Sequence, residues 1–294
     1  MPNLLDIRRR IKSVKNTQQI TKAMKMVSAA KLKRAQDRVM TARPFANKMM
    51  EVLGELAKRT DENFHHPLLD RRGDQRYLLV LDTADKGLCG GFNTNLTKAA
   101  QLFMKENADK SVEILPVGRK GRDFFRTRHA TLSGEFLGLT GKGRVEFSEA
   151  LEVARHVIKV YTDDTAIDKV FVLYNEFKSV LSQRVVLEQL LPVARAGADD
   201  TETKGSNVSQ VDYIYEQPPG EIFGRLLPRL IETQIFRALL ESVASEHGAR
   251  MTAMESASNN ASELIDTLTL NMNRVRQAAI TNEIIEVVSG AAAL

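Results

Sequence analysis

Two glycine-rich stretches, one cysteine and one pair of histidines are where chemistry would first be sought in this chain of 294 residues. GLCGG (Gly87–Gly91) follows an apolar strand pattern and precedes a helix, the place where a dinucleotide-binding loop would lie. It lacks the G-x-G-x-x-G spacing, and no acidic residue stands at the end of the second strand, so it reads as a tight turn between strand and helix. LTGKGR (Leu139–Arg144) carries the Gly-Lys of a phosphate-binding loop, but Phe136 stands where the first glycine belongs. Gly143 replaces the Ser or Thr that would hold magnesium. Cys89 as a nucleophile needs a base, and no histidine pairing is legible. His65 and His66 precede Pro67 in a polar stretch without further ligands and read as solvated loop histidines rather than a metal site. No pair of carboxylates stands out as acid and base. The residues point away from an active site, a cofactor or a metal.

Charge is distributed unevenly. Up to Lys48 there are thirteen Lys or Arg residues against Asp6 and Asp37, a local charge of about +11, so the remainder carries about −6 of the net +5. A basic N-terminal arm on a mildly acidic body asks for an acidic partner. Nucleic acid is one candidate. Against it, the cations occupy several helix faces and no aromatic residue interleaves them before Phe45. Arg274, Arg276 and Gln277 are of another kind, sitting one turn before an apolar terminus where a solvated face should be ending. Polar groups there point to specific hydrogen bonds with whatever encloses that terminus.

The elements that carry these residues are long. From about Arg229 to Leu294 there is no proline, and Gly248 and Gly290 are the only glycines. The segment is rich in Ala, Leu, Glu, Met and Arg, so it reads as one helix, on the order of 90 Å long. Leu226, Leu230, Ile231, Ile235, Leu239 and Val243, then Leu264, Ile265, Leu268, Met272, Val275 and Ala279, recur at helical spacing. Near the end the pattern broadens: Ile280, Ile284, Ile285, Val287 and Val288 put apolar surface on most sides of the helix. A tip of this kind is enclosed by something, and at the end of so long a rod a protein sleeve is the better reading. Glu283 and Glu286 interrupt the run, which is too short to span a bilayer.

Asn3 to Arg43 likewise lacks Gly and Pro. The triplets Ile7, Ile11 and Val14, then Ile20, Met24 and Val27, then Leu32, Ala35 and Val39 form a narrow stripe. The helix is expected to reach Pro44 and to continue beyond it with a kink. Two long helices with narrow stripes predict an antiparallel coiled coil between the chain ends. Between them lie strands at Tyr77–Leu81, Val112–Val117 and Lys169–Tyr174, an extended segment at Val185–Leu191, and helices at about Thr94–Lys105 and Val145–Tyr161. GRKG (Gly118–Gly121) reads as a turn. The alternation predicts a Rossmann-like, largely parallel α/β domain. The expected division is 1–58 as N-terminal coiled-coil helix, 75–195 as α/β domain, 196–218 as a flexible loop, and 219–294 as C-terminal coiled-coil helix. A single cysteine excludes an internal disulfide and fits a reducing compartment, and no signal peptide or transmembrane run is visible.

These stretches together resemble the gamma subunit of F-type ATP synthase over essentially the whole length. DIRRRIKSVKNTQQITKAMKMVSAAKLKRAQ, DKGLCGGFN, ESVASEHGARMTAMESASNNASELI and LNMNRVRQAAITNEIIEVVSGAAAL occur in that family's order. The resemblance implies a rotor: a coiled coil inside a ring of three alpha and three beta subunits, over an α/β domain against epsilon and the membrane-embedded c-ring. Such a subunit couples proton flow to ATP synthesis or hydrolysis, binds no nucleotide or nucleic acid, and does not enter the membrane. It further implies that Met24, Lys25, Lys31, Lys33 and Arg34 face an acidic beta loop. Arg276, Gln277, Thr281 and Glu283 would meet a second beta loop. Asp212, Tyr213 and Tyr215 would belong to the foot near epsilon and the c-ring. The family's chloroplast branch carries an insert with a cysteine pair; here there is neither, and thiol regulation is not expected. The start of the chain favours a bacterial source, with the complex on the cytoplasmic face of the inner membrane. An α/β nucleotide-dependent enzyme with helical arms, or a coiled-coil nucleic-acid binder, are the alternatives.

Overall fold

The computed structural model describes residues 4–59, 64–141, 143–163, 167–193 and 218–292. The chain divides into two compact units, one of residues 1–30 and 250–294 and one of residues 31–249. The first helix, α1 (Leu4–Arg59), keeps its helical course through Pro44. Proline in a helix interior costs about 3 kcal/mol. Burial of Ala46, Leu53 and Leu56 beyond it, at roughly 1.5–3 kcal/mol for each full leucine side chain, outweighs that cost. The last helix, α5 (Pro219–Ala292), likewise passes Pro228, where the sequence pattern had the helix beginning. Its buried run on the N-terminal side, Phe223 and Leu227, holds the helix together there.

The stripe on α1 differs from expectation in phase. Ile20 and Val27 are 60% and 56% exposed, whereas Thr21 and Ser28 are buried. The inward positions are Ile7, Ile11, Val14, Gln18, Thr21, Lys25, Ser28, Leu32, Ala35 and Val39, all buried or half-buried. They alternate steps of four and three, the 3.5-residue repeat that supercoils a helix left-handed around a partner. On α5, Met254, Ser258, Ala261, Ile265, Leu268, Met272 and Val275 follow the same rule and are buried or half-buried. Leu264, expected in the stripe, is 40% exposed.

In the second unit β1 (Arg76–Asp82), β2 (Ser111–Val117), β3 (Lys169–Phe177) and β4 (Gln183–Leu191) form one sheet in the order β2-β1-β3-β4. β1 pairs in parallel with β2 and β3, and β4 is antiparallel to β3 at the edge. Strand alternation sends Tyr77, Leu79, Leu81, Ile114 and Leu173 to one face, where α2 (Phe92–Glu106) buries Leu96, Ala100 and Phe103. α3 (Arg119–Arg126) adds Phe125 to the same cluster. The opposite face carries α4 (Phe147–Asp163) and the first half of α5, whose Phe147 and Phe236 meet at 5.3 Å. The portion of α1 in this unit runs antiparallel to α5: Arg43 bonds Glu241, and Met50, further along α1, meets the earlier Gln234.

α3 replaces the turn expected at Gly118–Gly121. Gly118 has φ +100, and a Cβ there would lie 1.9 Å from the Thr83 carbonyl oxygen. A Cβ on Gly121 would meet Thr83 Oγ1 at 2.8 Å. The two glycines are needed to press the start of a helix onto β1, with the Gly121 N–H donating to Thr83 Oγ1 at 2.8 Å.

Candidate interaction surfaces and what fills the glycine-rich loops

The glycine-rich loops are occupied by the protein's own groups. Asp85, just beyond β1, accepts from the backbone N–H of Arg119 at 3.1 Å, of Gly138 at 3.0 Å and of Gly141 at 2.8 Å. The Thr140 hydroxyl donates to the same carboxylate at 3.1 Å. Burial works to raise the Asp85 carboxyl, but the N–H donors of Gly138, Gly141 and Arg119 and the Thr140 hydroxyl outweigh it and hold it below its ordinary value. These donors, at a helix start and in a glycine loop, are the type that would cradle a phosphate. Here a carboxylate takes that place. Lys142, at the centre of LTGKGR, lies outside the described residues.

Cys89 is 2% exposed, and Asn93 Nδ2 donates to its sulfur at 3.1 Å. Asn93 Oδ1 accepts from the Ala84 N–H, so this side chain ties the GLCGG turn to the end of β1. His65 is exposed and lies 3.6 Å from Asp70. His66 stacks on Phe64 and accepts from the Leu68 N–H, and burial lowers its pKa while Asp70 works against the shift. Among the described residues no three His, Cys, Asp or Glu side chains converge in a way that could hold a metal.

In the first unit, Met24 is half-buried and Lys25 Nζ bonds Glu255 Oε1 on α5 at 2.6 Å, both side chains remaining partly exposed. In the second unit, Lys33 pairs with Asp37 at 3.3 Å, Lys31 lies half-buried beside Gly143, and Arg34 is exposed. Two of the four cations are thus engaged within the chain.

At the far end of α5, Arg276, Gln277, Thr281 and Glu283 are exposed on the helix. The Thr281 hydroxyl donates to the Gln277 backbone carbonyl at 2.9 Å. Ile280, Ile284, Ile285, Val287 and Val288 are exposed by 48–72%. Asp212, Tyr213 and Tyr215, and the loop 196–210, lie outside the described residues.

A polar centre in the second unit had no clear signal in the sequence. Glu241 of α5 is bound by Arg43 at 2.8 and 2.9 Å and accepts from the Phe177 N–H at 3.0 Å, while Arg43 also donates to the Phe177 carbonyl. Arg237 Nη2 reaches both carboxylate oxygens of Glu188, at 2.9 and 2.7 Å, and the Tyr174 hydroxyl. Asp82, at the end of β1, is 1% exposed. Burial pushes its carboxyl well above the ordinary range; Ser242 pulls it back, and Glu246 and Asp85 reinforce the rise. In ESVASEHG every residue from Glu241 to Gly248 is buried although three carry ionisable groups, which only the folded chain reveals.

Residues 3–294 match the family model described as ATP synthase. The chain is 53% identical over 296 residues to the ATP synthase gamma chain of Solibacter usitatus, covering 100% of this chain and 99% of that one. It is 51% identical over 293 residues to the ATP synthase gamma chain of Geotalea daltonii, covering 99% and 98%. Among solved structures, a chain of the central stalk and c-ring of Tetrahymena thermophila mitochondrial ATP synthase is 28% identical with TM-score 0.60, covering 81% of this chain and 99% of that chain. A chain of the Euglena gracilis mitochondrial ATP synthase, at 19% identity and TM-score 0.68, covers 99% and 94% and shares the fold.

Proposed function

Because the chain belongs to the ATP synthase gamma-chain family, we propose that it is the central-stalk rotor subunit that transmits rotation of the c-ring to the catalytic beta subunits. The observation that carries this reading is the end of α5, where five aliphatic side chains stand 48–72% exposed around a single helix. Apolar surface is worth roughly 25 cal/mol per Å² on burial, so a tip of this composition favours an enclosing bearing. A ring of three alpha and three beta subunits is the bearing, and epsilon and the c-ring hold the opposite end.

The mechanism is mechanical. An asymmetric shaft presents different side chains to each beta subunit as it turns, and differential contact energy shifts each beta site through its nucleotide-binding conformations. Arg276, Gln277, Thr281 and Glu283 supply directional contacts just below the tip. Lys25, Lys31, Lys33 and Arg34 supply positive charge toward an acidic beta loop and Met24 an apolar contact, with Arg34 exposed and without an ion pair among the described residues. Asp212, Tyr213 and Tyr215 act at the foot. The functional division follows residues 1–58 and 219–294 as shaft, 75–195 as body and 196–218 as foot.

The chain itself does no chemistry in this reading. In support, the phosphate-type donors are consumed by Asp85 and the cysteine is buried under Asn93. The complex sits at the cytoplasmic face of the bacterial plasma membrane, with this subunit peripheral; among the described residues no helix is long and apolar enough to cross a membrane.

The test is rotation. A reporter is attached to an exposed position of the α/β body, Lys105→Cys, in a surface-held complex assembled with alpha and beta subunits. Unidirectional rotation of the reporter is expected during ATP hydrolysis. Hydrolysis at full rate with a stationary reporter would overturn the reading.

A further inference from the structure

We propose that a cavity of about 730 Å³ in the second unit, between α1, the start of α4 and α5, binds an amphipathic monoanion: an acyl or aryl body with a single anionic head. Its size falls in the range of small-molecule sites, roughly 300–1,000 Å³.

The wall is apolar, formed by Phe45, Ala46, Val145, Phe147, Phe236 and Leu240. Phe45 and Phe147 are 61% and 43% exposed, although both stand in the cavity. The rings of Phe147 and Phe236 meet edge to face at 5.3 Å, which leaves a stacking surface open.

The charged residues around this wall are unequally satisfied. The carboxylates are taken: Asp37 by Lys33 at 3.3 Å and Glu146 by Arg144 at 2.8 Å. Arg237 is taken as well, by Glu188 at 2.7 Å. Arg34 and Arg38, one turn apart on α1, have no acidic partner within ion-pair distance among the described residues. Two guanidinium groups at the mouth of an aromatic cavity suit a carboxylate, sulfonate or phosphate head, which they can bind with charge-assisted, fork-shaped hydrogen bonds. A neutral apolar ligand would leave that capacity unused, and a small inorganic anion would leave the rings uncovered.

Dodecanoate, below its micelle concentration, is the probe, titrated by calorimetry into the isolated full chain, where no partner competes for Arg34. One saturable site is expected. Arg34→Ala with Arg38→Ala should weaken it at least tenfold, and so should Phe45→Ala, a change at an exposed ring that leaves the core intact. Lys12→Ala with Lys15→Ala removes the same charge from the other unit and should change affinity less than twofold. Ile284→Ser with Ile285→Ser, which depletes the exposed helix tip, should do likewise. Dodecan-1-ol should bind at least tenfold more weakly than dodecanoate. Absence of saturable binding up to about 1 mM, a regime worth only about 4 kcal/mol of affinity, overturns the proposal. Equal affinity for all variants, or for the alcohol, also overturns it. Binding of an acidic amphipathic peptide that Phe45→Ala abolishes, with dodecanoate excluded, would make the cavity a protein-docking surface instead and equally overturn it.

Discussion

Removing Arg43 should damage the second unit more than removing its partner. The Glu241 side chain is 4% exposed and that of Arg43 is 35% exposed. In Arg43→Ala the carboxylate keeps the Phe177 N–H but loses both guanidinium bonds, and the Phe177 carbonyl loses its donor as well. Breaking a buried pair from one side costs about 3–5 kcal/mol. Because a third of the guanidinium is already in contact with water, the lower end applies, about 3 kcal/mol. At about 1.4 kcal/mol per decade that is roughly a hundredfold in the opening equilibrium. Glu241→Gln leaves a cation that water can reach and keeps an acceptor, so it should cost only about 1–2 kcal/mol. The assay is native-state hydrogen exchange of the β3 amides in the isolated chain, which reports opening of this unit alone. Exchange should rise about a hundredfold in Arg43→Ala and about tenfold in Glu241→Gln. The double substitution to methionine should be milder than the sum of the single ones by at least about 1 kcal/mol, since the residues share one interaction. A rise below tenfold in Arg43→Ala, or a larger effect from Glu241→Gln, would refute the reasoning.

Arg276→Ala should lower ATP turnover of an assembled complex several-fold without changing subunit composition, since charge-assisted bonds worth about 1.5–3 kcal/mol each matter to rotational states more than to assembly. Arg276→Lys should restore only part; wild-type turnover in Arg276→Ala would sink the coupling role. Asp82 has a raised folded-state pKa, so the folded protein binds the proton more tightly than the unfolded chain, and stability falls as pH rises from the unfolded carboxyl value toward the folded one. Asp82→Asn should flatten that slope, and melting temperatures between pH 4 and pH 8 with an unaltered slope would contradict this. Asp85 is the opposite case: its lowered pKa contributes stability above the unfolded value that is lost as pH falls through the folded one. Asp85→Ala should cost about 2–4 kcal/mol and deprotect residues 138–141 in hydrogen exchange, and unchanged protection there would count against it. With those donors occupied, the isolated chain should show no micromolar ATP site by calorimetry.

Much of this protein is legible from its sequence because the relevant physics is local. Absence of Gly and Pro with helical periodicity identifies the long terminal helices. Short apolar runs between turn residues identify β1 to β4, and the broadened pattern from Ile280 to Val288 identifies a helix end with no solvent face. The motifs around Gly87 and in ITNEIIEVVSGAAAL carry the family.

Tertiary structure decided the rest. Ile20 and Val27 fit the apolar stripe of α1 by type, but the 3.5-residue repeat places Thr21 and Ser28 inward. Which phase wins depends on the helix opposite, not on α1. Pro44 reads as a kink within the first helix and Pro228 as the residue before the last one, yet both lie inside continuous helices, because burial on both sides of each outweighs the local cost. Gly118 and Gly121 read as a turn and instead allow α3 to press against Thr83, a contact between residues more than thirty apart. Glu241 is buried because its partners, Arg43 and Phe177, arrive from distant segments, and Asp82 is buried where β1 meets Ser242 and Glu246 of α5, which only folding brings near it. A hydrogen bond or a packing phase needs both participants, and when they lie in separate parts of the chain only folding brings them together.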